Sequence, residues 1–380
     1  MRLITHAITC TGPFAVLIML GIKRGEGDLM TEGSLILAPL RGVTIRCFRE
    51  TFAAEIAAAG FTEAVTPFIT ANAGVDPLKD REIGNWLIGE LANGRMSGGR
   101  EGLVSAAGET HRGTGLGDAA GETHRGTVLG GAAGETHRGT VLVTPQFIGK
   151  DPGALRYCLK RIKSVGYTTA DLNCGCPFPM VRNKGRGSGI LRTPNVLRQM
   201  MEVGCEVMGP GNFSIKARLG VDRTDELLKL MPLINEFPLR HLTIHARTAK
   251  QMYEGACDWT AGEKVVAAAR VPVVLNGDLE VVLGSAAFGC VASLGCSPET
   301  GGGTGRMIGR SFVRALGARP DSRELLLRYI AASQRELSGD RPVLGRMKEL
   351  LSYWKEIPYW SRRWNLLKIC RSVDELRAAI

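Results

Sequence analysis

Eight short runs of β-forming residues recur along this chain, and amphipathic stretches of helical period lie between most of them. The runs are Leu35–Pro39, Ala64–Phe68, Val143–Ile148, Thr169–Asn173, Phe213–Ala217, Leu242–Ala246, Val271–Asn276 and Arg306–Ile308. The helical stretches are Ile45–Ala58, Pro152–Val165, Pro194–Met208, Asp225–Glu236, Ala261–Ala269 and Val281–Ala292. The strand runs read as nearly continuous in apolar residues, as strands of a parallel sheet covered by helices do. Eight such units predict an α/β fold, a (β/α)8 TIM barrel. A doubly wound open sheet is the alternative, but no GxGxxG follows the first strand. From about Asp321 the strand signals stop and helical patterns continue, which predicts a C-terminal all-helical domain.

The expected organisation is therefore a disordered or spurious N-terminal extension over 1–33, a barrel over 34–318, and a helical domain over 319–380. Ala7 to Ile22 is mostly apolar but shorter than the ~20 residues needed to span a bilayer. The barrel is interrupted at 100–142. There Gly-Glu-Thr-His-Arg-Gly-Thr begins at Gly108, Gly121 and Gly134, a period of 13. The unit matches neither helical nor strand periodicity and buries no face, so it reads as a solvated insertion. His111, His124 and His137 are copies of one repeated residue rather than a metal array, since ligands must converge. The insertion runs into the third strand from its N-terminal side. Active sites of barrels lie at the opposite end of the strands.

A chain of 380 residues with 44% apolar content can bury a sizeable core. Its net charge of +11 favours a polyanionic partner, nucleic acid first. The ten cysteines include no CxxC pair, which gives no zinc-ribbon spacing and reads as reduced thiols of a cytoplasmic protein.

The densest chemistry lies in Asp171-Leu-Asn-Cys-Gly-Cys-Pro177, a strand end followed by a loop rich in Gly, Lys and Arg. Other strand ends carry Ala38-Pro39, Gln146, Lys216 with Arg218, His245 with Arg247, Asn276-Gly-Asp278 and Gly309-Arg310. In a barrel these groups converge on one bowl. Asn-Gly-Asp after strand seven and Gly-Arg after strand eight match the common phosphate pocket of that fold, where glycine admits close backbone approach and arginine grips the anion.

These residues resemble the tRNA-dihydrouridine synthases. The resemblance rests on Asp171–Pro177, Lys216-Ala-Arg-Leu-Gly220, and His245-Ala-Arg-Thr248 with Gln251, Tyr253 and Trp259. Asn276-Gly-Asp278, Met307-Ile-Gly-Arg310, and Leu37-Ala-Pro39 with Gly42-Val-Thr44 complete it. It covers about Leu35 to the C-terminus, excluding the repeat. The ending from Arg346-Met-Lys-Glu-Leu-Leu-Ser-Tyr353 is most like the bacterial C-type subfamily.

The resemblance implies an FMN flavoprotein that uses NADPH to reduce a uridine in the tRNA D-loop; a monomer without metal or membrane attachment is the separate expectation for its assembly. For the C-type that uridine is at position 16. Carried over by motif, Ala38, Pro39 and Leu40 line a tightly bound isoalloxazine, and Gln146, Lys216 and His245 hydrogen-bond to it. Asn276, Gly277, Asp278, Gly309 and Arg310 hold the FMN phosphate region, Asn173 and Arg218 contact the uracil, and Cys176 is the general acid. Hydride from reduced flavin to C6 builds charge at C5 and O4. A neutral, shielded thiol then suits protonation of C5.

Lys184, with Arg182 and Arg186, sits in the loop after Cys176 and reads as a basic lid for tRNA phosphates. Arg341–Arg371 holds eight Lys/Arg against two Glu, interleaved with aromatics. Arg362, Arg363 and Lys368 are the expected RNA contacts there, and the tryptophans are expected to pack helices. Three features depart from the family pattern: Leu40-Arg41 after the first strand, a longer segment with Gly301–Gly303 before the last strand, and Ser311 after Gly309-Arg310. Two other readings remain at this point: a Schiff-base aldolase with Lys216 as nucleophile, or a tRNA-binding protein that has lost catalysis.

Overall fold

The computed structural model describes residues 34–72, 74–78, 95–97, 140–279, 281–283, 288–291 and 304–380. The N-terminal extension, the repeat with its three histidines up to residue 139, and Gly301–Gly303 lie outside the described residues.

Nine strands build the barrel: β1 (Leu35–Leu37), β2 (Phe61–Val65), β3 (Thr140–Thr144), β4 (Gln146–Ile148), β5 (Ala170–Cys174), β6 (Phe213–Gly220), β7 (Leu242–Thr248), β8 (Val273–Asn276) and β9 (Thr304–Ile308). They pair with one another in parallel, and Arg95–Ser97 adds to β3 antiparallel. β1 pairs with both β2 and β9, so the order closes on itself. β3 and β4 together fill the third of eight positions. Pro145 between them lacks an N–H and interrupts the ladder, and the pairing changes there: β3 pairs with β2, whereas β4 pairs with β5 and with the short run Ile69–Thr70 that follows β2. The Pro145 carbonyl still accepts from the Asp171 N–H at 2.9 Å. Each expected strand is present, with boundaries shifted by a few residues.

The inner faces overturn the expectation of nearly continuous apolar strands. β6 alternates Ser214, Lys216 and Arg218 with Ile215, Ala217 and Leu219; β7 alternates Thr243, His245 and Arg247 with Leu242, Ile244 and Ala246. Ile215, Ala217, Ile244 and Ala246 join the large core under the helices. On the inner side a separate small cluster of Ile36, Ala38, Val65, Val274 and Met307 comes from β1, β2, β8 and β9. The barrel interior is thus apolar on one side and polar on the other. Among the polar groups, Glu63 accepts from Thr144 Oγ1 at 2.5 Å and from Arg240 Nη2 at 3.1 Å. A buried ion pair of this kind survives because both partners keep hydrogen bonds.

Helices cover the outside. α1 (Arg46–Thr51) and α2 (Ala53–Ala58) divide at Phe52, where one continuous stretch was expected. α3 (Pro152–Lys163) starts with Pro at its first position, and Asp151 caps the Gly153 and Ala154 N–H groups. It buries Leu155, Cys158, Leu159 and Ile162, an i, i+3/i+4 stripe. α4 (Pro194–Met208), α5 (Glu226–Ile234) and α6 (Trp259–Ala268) follow β5, β6 and β7. The helix expected over Val281–Ala292 is not formed: Val281–Leu283 and Phe288–Val291 pair antiparallel. The β-branched Val281 and Val282 and the glycines at 284 and 289 explain this, since both residue types disfavour a helix.

After β9 the chain is helical, with α7 (Arg310–Gly317), α8 (Ser322–Glu336), α9 (Asp340–Trp354) and three shorter helices. Trp354 and Trp360 are buried and stack with ring centroids 5.0 Å apart. Their indole N–H groups donate to the Val313 and Gly317 carbonyls at 2.7 and 2.9 Å. A Cβ at Gly317 would collide with the Trp354 ring. These tryptophans are packing residues, as their helical spacing predicts. Arg46 of α1 and Arg346 of α9 both bind Glu336 of α8, which ties the helical region to the barrel.

Candidate active site

At the C-terminal end of β5 the chain turns through Gly175 and Cys176. Asn173 Oδ1 accepts the N–H groups of Gly175 at 3.1 Å and Cys176 at 2.8 Å, a turn that the short amide side chain makes possible. Cys176 is buried. Burial pushes its thiol above the ordinary value, outweighing the opposing guanidiniums of Arg218 and Arg41, so it carries its proton at neutral pH. The following loop folds back onto it. Ser188 donates to the Cys176 carbonyl through both N–H, at 3.2 Å, and Oγ, at 2.9 Å. Gly187 has φ +56°, and a Cβ there would stand 2.8 Å from the Cys176 Cβ. Lys184 of this loop is exposed; Arg182 and Arg186 are half-buried.

Gln146, from β4, is buried beside this turn. It accepts from Asn173 Nδ2 at 2.8 Å and donates from Nε2 to Asp171 at 2.7 Å. Asp171 also accepts from Ser214 Oγ at 2.6 Å. Burial raises the Asp171 carboxyl to about 6, which leaves it mostly ionised at neutral pH.

The opposite wall is cationic. Lys216 Nζ donates to Asn276 Oδ1 at 2.8 Å, and Asn276 Nδ2 donates to the Met307 carbonyl at 2.8 Å, fixing the amide. The Lys216 residue is half-buried, with its ammonium turned onto Asn276. Burial and then Arg218 lower it to about 7. Arg218 is buried and bonds carbonyls rather than a carboxylate: Gly175 at 2.9 Å, Thr248 at 2.9 Å and Met252 at 2.6 Å. His245 is also buried. Its pKa falls well below the usual value through burial, then through Lys216, Arg218, Arg247 and Arg310, so the ring is neutral. Arg247 binds Asp278 with Nη2 at 2.7 and 2.6 Å.

Ala38 is buried and Pro39 and Leu40 half-buried at the end of β1. Thr44 Oγ1 clamps this turn, accepting from the Leu40 N–H at 2.7 Å and donating to the Ala38 carbonyl at 3.1 Å. A Cβ on Gly309 would stand 2.9 Å from the Ala38 Cβ. Gly277 has φ +147°, and a Cβ there would strike Cys257 Sγ. Arg310 is exposed, its guanidinium 5.2 Å from the Tyr253 ring centroid; Arg218 lies 5.3 Å from the same ring. Ser311, where glycine is usual, donates Oγ to the Leu279 carbonyl at 2.8 Å and so fits its place. Arg41 is exposed, 5.8 Å from the Phe68 ring.

The structure thus brings Gln146, Asn173, Cys176 and Arg218 together by hydrogen bonds, and Lys216 with Asn276. Ala38, Leu40 and Gly309 meet at the far rim. Asp278 is turned to Arg247 and the Cys257 N–H, so it acts on the cleft through Arg247. Arg362, Arg363 and Lys368 stand apart on the helical region. Arg362 and Lys368 are exposed, while Arg363 lies 4.0 Å over the Tyr359 ring. The sequence reading left Asp171, Thr44, Ser214 and Arg247 without roles. For Asp171, Ser214 and Arg247 the signal was present as period-two polar residues on strands of otherwise apolar composition; Thr44 lies in the turn after β1, where no such period exists.

The donor set suits a phosphorylated flavin. Lys216 retains protons beyond its bond to Asn276, His245 a ring N–H, and Arg310 an exposed guanidinium; Gln146, expected to join them, is fully buried behind the cleft surface. Oxygen and nitrogen acceptors of an isoalloxazine, and a phosphate, need such donors. Among the described residues no group of three His, Cys, Asp or Glu could hold a metal ion, and no helix is long and apolar enough to cross a membrane.

Residues 132–313 match the family described as dihydrouridine synthase (Dus). The chain is 30% identical over 175 residues to the tRNA-dihydrouridine(16) synthase of Shigella flexneri, covering 45% of this chain and 52% of that protein. It is 24% identical over 257 residues to tRNA-dihydrouridine synthase B of Vibrio cholerae, covering 67% of this chain and 62% of that one. The chain thus spans about half the length of the first curated relatives it matches. A solved structure of morphinone reductase aligns with a TM-score of 0.38 at 11% identity, over 76% of this chain and 88% of that one.

Proposed function

Because residues 132–313 match the dihydrouridine synthase family, we propose that this chain is a member of it and reduces uridine to 5,6-dihydrouridine in the D-loop of tRNA, using FMN and NADPH. The observation that carries this reading is the Cys176 turn. A buried, protonated thiol is held by Asn173 on the same barrel mouth as a cluster of N–H donors and cations.

FMN, when bound, supplies the hydride that NADPH provides and uracil C6 receives. The protein's own groups do the rest. Lys216 and His245 would bind the ring edge, with Gln146 supporting them from the barrel interior, and Ala38, Pro39 and Leu40 would line its face. Asn276, Gly277, Gly309 and Arg310 would hold the phosphate, with Asp278 acting through Arg247. The Lys216 ammonium favours negative charge at the ring, where a preorganised cation is most effective. Asn173 keeps an amide N–H for the uracil, and Arg218, which bonds carbonyls and no carboxylate among the described residues, would meet the charge that gathers on O4. Cys176 gives its proton to C5. The target base must leave its stack, at a cost of a few kcal/mol that is smallest in a loop.

The positive mouth recruits the polyanion: Arg41 and Arg310 are exposed there, and Lys184 lies on the loop beside it. Arg362, Arg363 and Lys368 extend that contact onto the helical region. The C-type ending and the Shigella relative support position 16 as the target.

The test is conversion of unmodified tRNA by the purified, FMN-loaded protein with NADPH, followed by nucleoside mapping. Dihydrouridine confined to the D-loop supports the reading. Absence of product from a folded, flavin-loaded protein would refute it. A carbonyl substrate trapped on Lys216 by borohydride would instead favour the aldolase reading.

A further inference from the structure

Four side chains form one directional hydrogen-bonded series across three strands. The N–H groups of Gly175 and Cys176 end on Asn173 Oδ1 at 3.1 and 2.8 Å. Asn173 Nδ2 ends on Gln146 Oε1 at 2.8 Å, Gln146 Nε2 on Asp171 Oδ2 at 2.7 Å, and Ser214 Oγ on Asp171 Oδ1 at 2.6 Å. Backbone N–H groups can only donate and an ionised carboxylate can only accept. The two ends therefore demand the same polarity, and both amides have one orientation that satisfies every group. Asp171 and Gln146 are completely buried and Asn173 nearly so, so no solvent can replace a lost partner.

Two consequences follow from the polarity. Gln146 spends one amide hydrogen on Asp171 and has the other free; Asn173 likewise spends one on Gln146 and has the other free. The series also links the buried amide on β4 to the acid-bearing turn after β5. A shift at Gln146 must pass to Asn173 and from there to the Cys176 backbone.

We propose that Asp171 is a positioning residue: its carboxylate anchors Gln146 and, through Gln146 and Asn173, holds the Cys176 turn in register with the flavin edge. This rests on the functional reading above and adds a residue to it. Asp171 touches neither substrate nor cofactor in this account. Its role is geometric, and misplacement of reacting groups by about 1 Å can cost on the order of 100-fold in rate.

The experiment compares wild-type, Asp171→Ala and Asp171→Asn holoproteins in two separate assays: flavin reduction by NADPH, and dihydrouridine formation on unmodified tRNA under single and multiple turnover. Asp171→Ala should keep flavin reduction and the tRNA KM within about twofold while kcat for dihydrouridine falls on the order of 100-fold. Asp171→Asn retains an oxygen that can accept from Gln146 but loses the charge and forces Ser214 to turn its hydrogen to the Ala170 carbonyl, a long contact at 3.5 Å, so its loss should be about tenfold. A flavin-loaded Asp171→Ala protein with wild-type kcat overturns the proposal, as does a loss confined to tRNA KM. Should Asp171→Ala fail to retain flavin, wild-type kcat in Asp171→Asn overturns it equally. If wild type itself forms no dihydrouridine, the functional reading falls and this inference with it; an active wild type beside an equally active Asp171→Ala removes this inference alone.

Discussion

Arg247 Nη1 lies 3.2 Å from His245 Nε2, and because a guanidinium can only donate, that nitrogen must be the unprotonated one. The neutral ring therefore carries its hydrogen on Nδ1, available to a cofactor acceptor. Asp278 and the Gly255 carbonyl hold Arg247 in place. Replacing Arg247 with Met removes the donor that selects this tautomer and leaves Asp278 without its partner. FMN affinity of the apoprotein, read by fluorescence titration, should weaken about tenfold, the size of one charge-assisted hydrogen bond. An unchanged Kd would show that the tautomer is fixed by other means.

Lys216 offers a pH signature in the flavin-free protein. Its folded pKa of about 7 lies below the ordinary 10.5. Between those values the unfolded chain binds more protons than the folded one, so stability rises with pH across that window; the penalty for the buried charge is fully present below it. Lys216→Met should melt higher than wild type near pH 7, and the difference should shrink as pH rises toward about 10. Thermal melts of both apoproteins across this range check it, and a gap that stays constant or widens contradicts the assignment.

Charge reversal at Arg362 and Arg363 should raise the tRNA KM several-fold and leave NADPH oxidation by the flavoprotein unchanged, because both residues belong to the C-terminal helical region and not to the strand ends that carry the site. The increase should diminish at high salt. Steady-state kinetics with full-length tRNA is the check; an unaltered KM removes these two residues from the interface.

The repeat enters the barrel at Thr140, the N-terminal end of β3, whereas Gln146 and the Cys176 turn stand at the other end of the sheet. Deleting residues 106–131 should leave kcat for dihydrouridine and the flavin content near wild-type values. Loss of turnover in a folded, flavin-loaded deletion protein would place the repeat in function after all.

Much of this architecture is legible in the chain. Each strand of the barrel shows as a local apolar run, and the chemistry stands at run ends because barrels place it there. The switch of partners at Pro145 was not legible, although the proline itself was visible; its meaning depends on two neighbouring strands distant in sequence. The inward polar residues of β6 and β7 were readable as alternation, but short runs of high apolar content hide a period of two. Val281–Ala292 failed for a related reason, since short apolar segments suit either period. Asp171 stood inside the most informative motif, yet its role depends on an amide orientation that only the three-dimensional bonds to Gln146 and Ser214 define.

The most direct measurement is a single turnover with pre-reduced flavin and unmodified tRNA, comparing wild type with Cys176→Ala. The protonated thiol beside Arg218 should make wild type form dihydrouridine, while Cys176→Ala binds tRNA and FMN normally, accepts electrons from NADPH at the same rate, and loses product formation by at least about 100-fold, as removal of a general acid does. Equal product from the two proteins would contradict the assignment of Cys176 as the acid and, with it, the central claim.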